Sequence, residues 1–193
     1  GTVKHTLFHY GQQGELLGET RLNSTDGTEP TSTQNIVWLQ MRPVAVLDTT
    51  TDSNTIHNTR IAWLHSDHLF TARAATDKNQ NLIWRWHSDA FGVGEAESIG
   101  QPDSPKLTLN LRFSGQYHDE ESGLYYNYFR TYDPAKGRYT QSDPIGLRGG
   151  INTYSYVGAN PVFGVDSLGL FTVYLGGAGM DGPYINDQVI VVV

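Results

Sequence analysis

The sequence has no cysteine, few charged residues and no long apolar run. The absence of cysteine excludes disulfides, thiolate metal sites and a cysteine nucleophile. Charged residues make up 17% of the 193 residues, the formal net charge is -7, and Lys and Arg do not cluster. This balance argues against a surface for nucleic acid or anionic membranes. No stretch reaches the roughly 18 apolar residues of a membrane-spanning helix, so we predict no membrane span.

Turn-forming and aromatic residues are abundant instead. The chain contains 21 glycines, 8 prolines, 11 tyrosines, 7 phenylalanines and 4 tryptophans. Aromatic residues favour strands, and glycine and proline favour tight turns. The composition therefore predicts an all-β fold of short strands, with no helix longer than about three turns.

Hydrophobic patterning places several of these strands. Thr71–Thr76 and Leu82–Trp86 predict a hairpin, because the intervening Asp77–Asn81 supplies side chains that cap their own backbone. In the second strand Leu82, Trp84 and Trp86 alternate with Ile83 and Arg85, a period of two. Other short apolar runs predict strands at Ile36–Met41, Val44–Leu47 and Ile61–Leu64. The polar run 23–35 is predicted to be a loop, and a second polar run, 48–60, separates the predicted strands on either side of it.

A five-residue phrase, Asp-x-x-Gly-Leu, occurs twice. It begins at Asp143 and at Asp166, 23 residues later. Two aspartates on matched turns are what an aspartyl dyad requires: one carboxyl is ionised and takes a proton from water, and the other is protonated. A non-catalytic reading is also open, because Asp-Pro-x-Gly is a common turn. Asp89, Asp119 and Asp133 are predicted to be turn residues only.

Three stretches carry a resemblance to a known family. Tyr10-Gly-x-x-Gly14-Glu-Leu16 looks like a Tyr-Asp (YD) repeat with Gly11 in the Asp position, and the segment from His65 to Gly92 resembles the end of an RHS repeat shell. The most specific stretch begins Arg112-Phe-Ser-Gly-Gln116-Tyr117-His-Asp119 and continues through Tyr132-Asp133-Pro134, Gly137-Arg138-Tyr139, Ser142-Asp143-Pro144 and Asn160-Pro161. This stretch resembles the RHS-repeat-associated core of bacterial polymorphic toxins and of Tc toxin C subunits.

The resemblance implies a fold and a division of the chain. Family members wind strands into a hollow shell that encloses a C-terminal toxin, and the core plugs one end. We therefore expect a YD-repeat β-spiral shell segment at 1–110, the core at 111–170 and the start of the variable toxin segment at 171–193.

The resemblance also implies an activity, namely an aspartyl autoprotease that turns over once. Mapped residue by residue, the catalytic pair is Asp143 and Asp166, and the cleaved bond is Leu170–Phe171. Arg138 corresponds to an arginine that the family keeps near the site. Ser167 stands where the family usually has proline, so its turn lacks the φ restraint of proline and slower or incomplete cutting is expected.

Partners and location follow from the same resemblance. The implied partners are the protein's own N-terminal shell and C-terminal toxin segment, a secretion-system spike or chaperone, and an immunity protein. The implied location is that of a secreted effector made in the bacterial cytoplasm. Two other readings stay open: a non-catalytic YD-repeat shell for enclosure or adhesion, and a module that mainly binds a delivery or immunity partner.

The remaining motifs favour no separate function. His65-x-x-His68 has the residue types of a metal site, but strand packing explains it, and we predict no metal or cofactor. The four tryptophans could form a sugar platform, although packing between strands is the preferred explanation. Gly177-x-Gly179-x-x-Gly182 matches a dinucleotide-binding pattern, yet Pro183 and the apolar run from Gln188 leave no room for its helix.

Overall fold

The computed structural model of the chain describes residues 5–23, 27–52, 55–100, 106–176 and 190–192. In these ranges the regular structure consists of β-strands and two 3-10 helices, and the predicted all-β class is confirmed. No helix among the described residues is long and apolar enough to cross a membrane.

The first and largest sheet is a meander in which each strand lies beside its neighbour in sequence. Its eight strands, in spatial order, are β1 (His5–Tyr10), β2 (Leu16–Leu22), β3 (Pro30–Leu39), β4 (Arg42–Asp52), β5 (Thr55–Ser66), β6 (Ala72–Thr76), β7 (Leu82–Trp86) and β8 (Ala96–Ser98). The pairs from β1 through β5, and the pair β6–β7, are antiparallel. Short connections of this kind need no crossover helix.

Strands β3, β4 and β5 are longer than the sequence predicts. Residues 30–35, predicted to be part of a loop, are strand, and that prediction is wrong over these residues. Most of the polar run 48–60 is strand as well. The reason is that these polar runs are rich in threonine, whose branched side chain suits a strand even when its hydroxyl faces water. Thr49 and Thr59 pair across β4 and β5 with hydroxyls 3.1 Å apart, and Arg60 forms an ion pair with Asp48 at 2.7 Å.

The predicted hairpin around Asp77 is confirmed. Strands β6 and β7 pair antiparallel, and Asp77 Oδ1 accepts the main-chain N–H groups of Asn79 and Asn81 at 2.8 and 2.9 Å. The predicted alternation in β7 is only partly right. Trp84 and Trp86 are buried, but Leu82 on the same face is exposed, and Ile83 on the other face is buried.

Two smaller sheets follow the meander. The second has the order β12 (Arg138–Tyr139), β11 (Arg130–Asp133), β10 (Tyr125–Asn127), β9 (Tyr117–His118). The third contains β13 (Gly164–Val165), β14 (Val173–Gly176) and β15 (Ile190–Val192). The 3-10 helices are Gly146–Gly149 and Val157–Ala159.

The chain forms two compact units that do not follow simple sequence blocks. One contains 1–66, 73–85 and 98–107, and the other contains 67–72, 86–97 and 108–193. The expected three-part division at residues 110 and 170 stays a prediction.

The second unit is built on an aromatic core. Its rings contact one another at centroid distances between 4.7 and 6.3 Å, and they belong to Trp86, Phe113, Tyr125, Tyr132, Tyr139 and Tyr156. Edge-to-face and tilted ring pairs of this kind stabilise cores beyond their buried area. Tyr139 belongs to this core and also contacts Asp166, so the aromatic core adjoins the candidate site.

Candidate active site

The two predicted aspartates meet at one arginine that the sequence did not single out. Arg130 Nη2 lies 3.0 Å from Asp143 Oδ2 and 3.1 Å from Asp166 Oδ2. All three residues are buried, with 4%, 6% and 2% of their surface exposed, respectively. Both carboxylates therefore face the same cation, which reduces their mutual repulsion in a site shielded from water.

Both Asp-x-x-Gly-Leu phrases form turns with their glycine at positive φ (65° at Gly146 and 71° at Gly169), but the aspartates bind different positions of their turns. Asp143 Oδ1 accepts the N–H of Ile145 at 3.0 Å, and Asp166 Oδ1 accepts the N–H of Leu170 at 2.9 Å. In each turn one carboxylate oxygen is held by the turn's own backbone. The other oxygen is thereby left to point at Arg130.

Arg130 is fixed from several sides. Its Nε donates to Gly169 O at 2.5 Å and its Nη1 donates to Thr153 O at 3.1 Å. Its guanidinium also lies over the ring of Tyr139, 3.6 Å from the centroid. A buried arginine is stable only when its donors are paired, and these contacts supply carbonyl, carboxylate and aromatic partners.

Asn127 and Tyr139 extend the site on the side of Asp166. The Tyr139 hydroxyl donates to Asp166 Oδ2 at 2.9 Å. Asn127 Nδ2 donates to the Tyr139 hydroxyl at 2.7 Å and to the Asp166 carbonyl oxygen at 2.8 Å. These bonds tie the side chain and the backbone of Asp166 to β10 and β12.

The predicted scissile bond lies in the connection between β13 and β14. These strands pair antiparallel, with Gly164 opposite Tyr174 and Val165 opposite Val173. Within the connection, the Leu170 N–H is bound by Asp166, and the Gly169 carbonyl is bound by Arg130. The chain on the N-terminal side of the Leu170–Phe171 bond is therefore held by two members of the charged cluster.

Gly149 shows how close the Leu170 carbonyl is to Asp143. A Cβ added at Gly149 would overlap Asp143 Oδ2 and would lie 3.1 Å from Leu170 O. The carboxylate and the carbonyl oxygen thus flank the same point. Only a residue without a side chain fits there.

The surroundings of Asp166 act on its acidity in opposite directions. Burial raises the pKa of Asp166 above its usual value, while hydrogen bonds from the Leu170 N–H and the Tyr139 hydroxyl and the charge of Arg130 lower it in part. Burial also raises the pKa of Tyr139 well above its usual value, so its hydroxyl keeps its proton at neutral pH.

Comparisons with known proteins find curated relatives and solved structures, although no family model matches. Over 111 residues the chain is 43% identical to the toxin protein Tse5 of Pseudomonas aeruginosa. This match covers 58% of this chain and 8% of that protein. Over 125 residues it is 41% identical to the double-stranded DNA deaminase toxin A of Burkholderia cenocepacia, covering 65% of this chain and 8% of that protein. The structure of the Photorhabdus luminescens Tc holotoxin pore matches 86% of this chain and 9% of that chain, with 20% identity and a TM-score of 0.56.

The chain is related to the RHS-repeat toxins. The likeness to the Tc toxin supports this relationship through the fold alone, because the sequence identity is low. The RHS-related chain spans less than a tenth of the length of these toxins.

The structure of the RHS-related chain brings together Asp143, Asp166 and Leu170, but it does not bring Arg138 to them. The side chain of Arg138 is exposed on β12. Its backbone lies opposite Asp133 of β11 and forms an isolated β-bridge with Ser155. Successive residues of a strand point to opposite faces, so Tyr139, not Arg138, faces the aspartates. The catalytic roles predicted for Asp143, Asp166 and Arg138 stay predictions.

Sequence reasoning missed four members of this site: Asn127, Arg130, Tyr139 and Gly149. One signal pointed to Arg130. Arg130 lies between the aromatic run Tyr125–Phe129 and Tyr132, a context typical of a buried segment. A buried arginine requires a carboxylate partner. Nothing in the sequence named that partner, which is 36 residues away in Asp166.

The other sequence motifs resolve into structural contacts. His65 Nε2 lies 2.9 Å from Thr76 Oγ1, His68 Nε2 lies 2.9 Å from Val162 O, and the described part of the chain contains no cluster of potential metal ligands. Asp89 and Asp119 bind the N–H groups of their own turns, and Asp133 binds Lys136 within its turn, as predicted. The glycine pattern from Gly177 to Gly182 lies outside the described residues.

The tryptophans differ in their environments. Trp84 and Trp86 are buried, Trp63 is half exposed, and Trp38 Nε1 donates to Leu16 O at 2.9 Å. Burial of Trp84 and Trp86 agrees with the preferred packing role.

Proposed function

We propose that this chain is an intramolecular aspartyl autoprotease that hydrolyses its own Leu170–Phe171 bond. The observation that carries the proposal is the position of Asp143 Oδ2, which flanks the same point beside Gly149 as the Leu170 carbonyl oxygen. The Arg130 contacts to both aspartates support it further. Buried carboxylates beside a peptide carbonyl are the groups that this chemistry requires.

In the proposed reaction Asp143 is the base. It takes a proton from water as the water oxygen bonds to the Leu170 carbonyl carbon. The bond from that carbon to the Phe171 nitrogen then breaks, and the nitrogen leaves with a proton. Asp166 is the carboxyl that holds a proton to donate, because burial raises its pKa. Arg130 stabilises the negative charge that develops at the carbonyl oxygen.

The fixed geometry of the chain takes the place of substrate binding. Leu170 N–H is bound to Asp166, and Gly169 O is bound to Arg130, so the substrate segment is already oriented. An intramolecular arrangement of this kind removes the entropy loss of bringing two molecules together. Because the bond is part of the enzyme, each chain reacts once.

The biological consequence that we propose is separation of a C-terminal segment from its scaffold. Two relatives are named as toxins, and the chain spans 8% of each of them. In a longer protein with the same core, cutting after Leu170 would free a C-terminal toxin while the RHS shell still encloses it. We propose a secreted effector as the setting, with a secretion-system component and an immunity protein as partners.

One observation favours a non-catalytic shell as the alternative. Oδ1 of both aspartates binds the backbone of its own turn, and this is also how a purely structural aspartate holds a turn. In that case the Arg130 cluster would only lock the two turns together. Cleavage distinguishes the two functions.

The test is the intact mass of the purified chain near neutral pH. We expect two fragments, the second beginning at Phe171, and an uncut chain for both Asp143→Asn and Asp166→Asn. Asp133→Asn is the matched control, since Asp133 lies on another turn and contacts Lys136. A wild-type chain that stays whole would favour the structural shell. Fragments that begin at Pro134 or Pro144 are not counted as self-cleavage, because the Asp-Pro bonds at 133–134 and 143–144 are acid-labile.

A further inference from the structure

Tyr139 is a buried phenol at the aspartyl site, and the proposed hydrolysis gives it no role. Its side chain is 1% exposed, its ring lies under the Arg130 guanidinium, and its hydroxyl lies 2.9 Å from Asp166 Oδ2. The aromatic core alone needs only the ring. The hydroxyl, buried beside the Asp166 carboxyl, calls for a separate explanation.

The direction of the hydroxyl proton follows from the neighbouring amide. Asn127 Nδ2 lies 2.8 Å from the Asp166 carbonyl oxygen, which can only accept a hydrogen bond. The NH2 end of the amide therefore faces this region, and its other proton is donated to the Tyr139 hydroxyl oxygen at 2.7 Å. With that oxygen acting as acceptor, the hydroxyl proton is left to point at Asp166 Oδ2.

We propose that Tyr139 is a positioning residue for Asp166. Its hydroxyl, aimed by Asn127, holds Oδ2 of that carboxyl beside Arg130 and limits how readily the carboxyl takes up a proton. The kinetic part of this inference rests on the proposed autoprotease function. The part that concerns the acidity of Asp166 does not.

The groups that face Asp166 allow the effect of Tyr139 to be isolated. They are Arg130 from β11, Tyr139 from β12, the Leu170 N–H from its own turn, and Asp143 across the shared Arg130. A hydrogen bond donated to a carboxylate favours its ionised form, so loss of the Tyr139 hydroxyl raises the pKa of Asp166. Because burial keeps the tyrosine itself protonated, its own titration does not interfere near neutral pH.

The first experiment compares the single-turnover cleavage rate of wild type, Tyr139→Phe and Tyr132→Phe between pH 4 and pH 8. Tyr132 is the matched control: it belongs to the same aromatic core and its hydroxyl donates to Phe91 O at 2.7 Å, away from the aspartates. We expect Tyr139→Phe to cut on the order of tenfold more slowly at its optimal pH, because Asp166 loses one of the hydrogen bonds that position it. We also expect the part of its pH profile that reports Asp166 to move to higher pH. Tyr132→Phe should keep the wild-type profile.

The second experiment measures the acidity of Asp166 without relying on cleavage. Carbon-13 NMR of the Asp166 carboxyl is followed against pH in Asp143→Asn and in Asp143→Asn with Tyr139→Phe, so both chains lack the same neighbouring charge. A higher pKa in the second chain supports the inference, and an unchanged pKa overturns it. Equal slowing by both tyrosine variants, with no movement of the pH profile, also overturns it. If no chain cuts at any pH, the autoprotease proposal fails, and the NMR comparison alone decides the role of Tyr139.

Discussion

One nitrogen of Arg130 contacts both aspartates, with Nη2 3.0 Å from Asp143 Oδ2 and 3.1 Å from Asp166 Oδ2. This contact joins two turns that are distant in sequence. It also places one buried cation against two buried carboxyls, an arrangement in which a proton held by one carboxyl removes the excess negative charge. The first consequences to test are those of losing this arginine.

Arg130→Gln should abolish most cutting and destabilise the chain. Removing one partner of a buried ion cluster leaves carboxylates without compensation, which typically costs about 3–5 kcal/mol of unfolding free energy. Urea unfolding measures the stability, and intact mass measures cutting. Arg138→Gln is the matched control, because Arg138 is exposed on β12. If Arg138→Gln stopped cutting and Arg130→Gln did not, the arginine predicted from the sequence would be the functional one.

Gly149→Ala should strongly slow cutting while the fold is retained. The new Cβ overlaps Asp143 Oδ2 and approaches the Leu170 carbonyl oxygen, so the carboxylate must move. A displacement of about 1 Å at a reacting group reduces a rate on the order of 100-fold. Gly100→Ala is the control, because the nearest atoms to its Cβ are 3.8 Å away on the Lys106 side chain. Normal cutting by Gly149→Ala would show that Asp143 does not act from its observed position.

Ser167→Pro should accelerate cutting and stabilise the turn. Pro144 occupies the corresponding place in the first Asp-x-x-Gly-Leu phrase, so the matched turn accepts proline there. Restricting φ in the unfolded chain is worth about 0.4–1 kcal/mol when the native turn fits proline. The reciprocal variant Pro144→Ser should slow cutting. A Ser167→Pro chain that cuts more slowly than wild type would show that the second turn does not have the conformation of the first.

Ionisation of Asp166 should lower the free energy of unfolding as pH rises. Burial raises its folded-state pKa, so the native state binds more protons than the unfolded state between the two pKa values. Stability then falls with pH over this window, starting near the unfolded value of about 3.9 and ending above the folded pKa.

The measurement compares urea unfolding of Asp143→Asn with that of Asp143→Asn plus Asp166→Asn from pH 3.5 to pH 7, since both chains should stay whole. The unfolding free energy of Asp143→Asn, taken relative to that of the double variant, should decrease as pH increases. A difference that grows with pH would mean that the donors from Leu170, Tyr139 and Arg130 outweigh the effect of burial.

Local patterns predicted local structure well. The hairpin around Asp77 could be predicted because its turn is held by hydrogen bonds within five residues. The turns at Asp143 and Asp166 could be predicted for the same reason, since each Oδ1 binds a nearby N–H, although at different positions of the turn. The threonine-rich strands around Asp48 were missed because the polarity of a strand depends on which face meets solvent, and a single sequence does not state this.

The long-range part of the site could not be predicted in this way. The resemblance assigns Arg138, in the Gly-Arg-Tyr that precedes the first aspartate, to the site. The alternation of β12 turns it to solvent and turns Tyr139 inward, whereas Arg130 reaches the aspartates through the pairing of β10, β11 and β12. Closeness along the chain was therefore a poor guide to closeness in the fold.

The most direct test of the central claim is whether the two aspartates act as one unit. The single-turnover rate of cutting at Leu170–Phe171 is measured near neutral pH for wild type, Asp143→Asn, Asp166→Asn and the double variant. Groups that work together in one step lose nearly all activity when either is removed, so each single variant should be as inactive as the double. If either single variant cut at the wild-type rate, the two-aspartate mechanism would be contradicted.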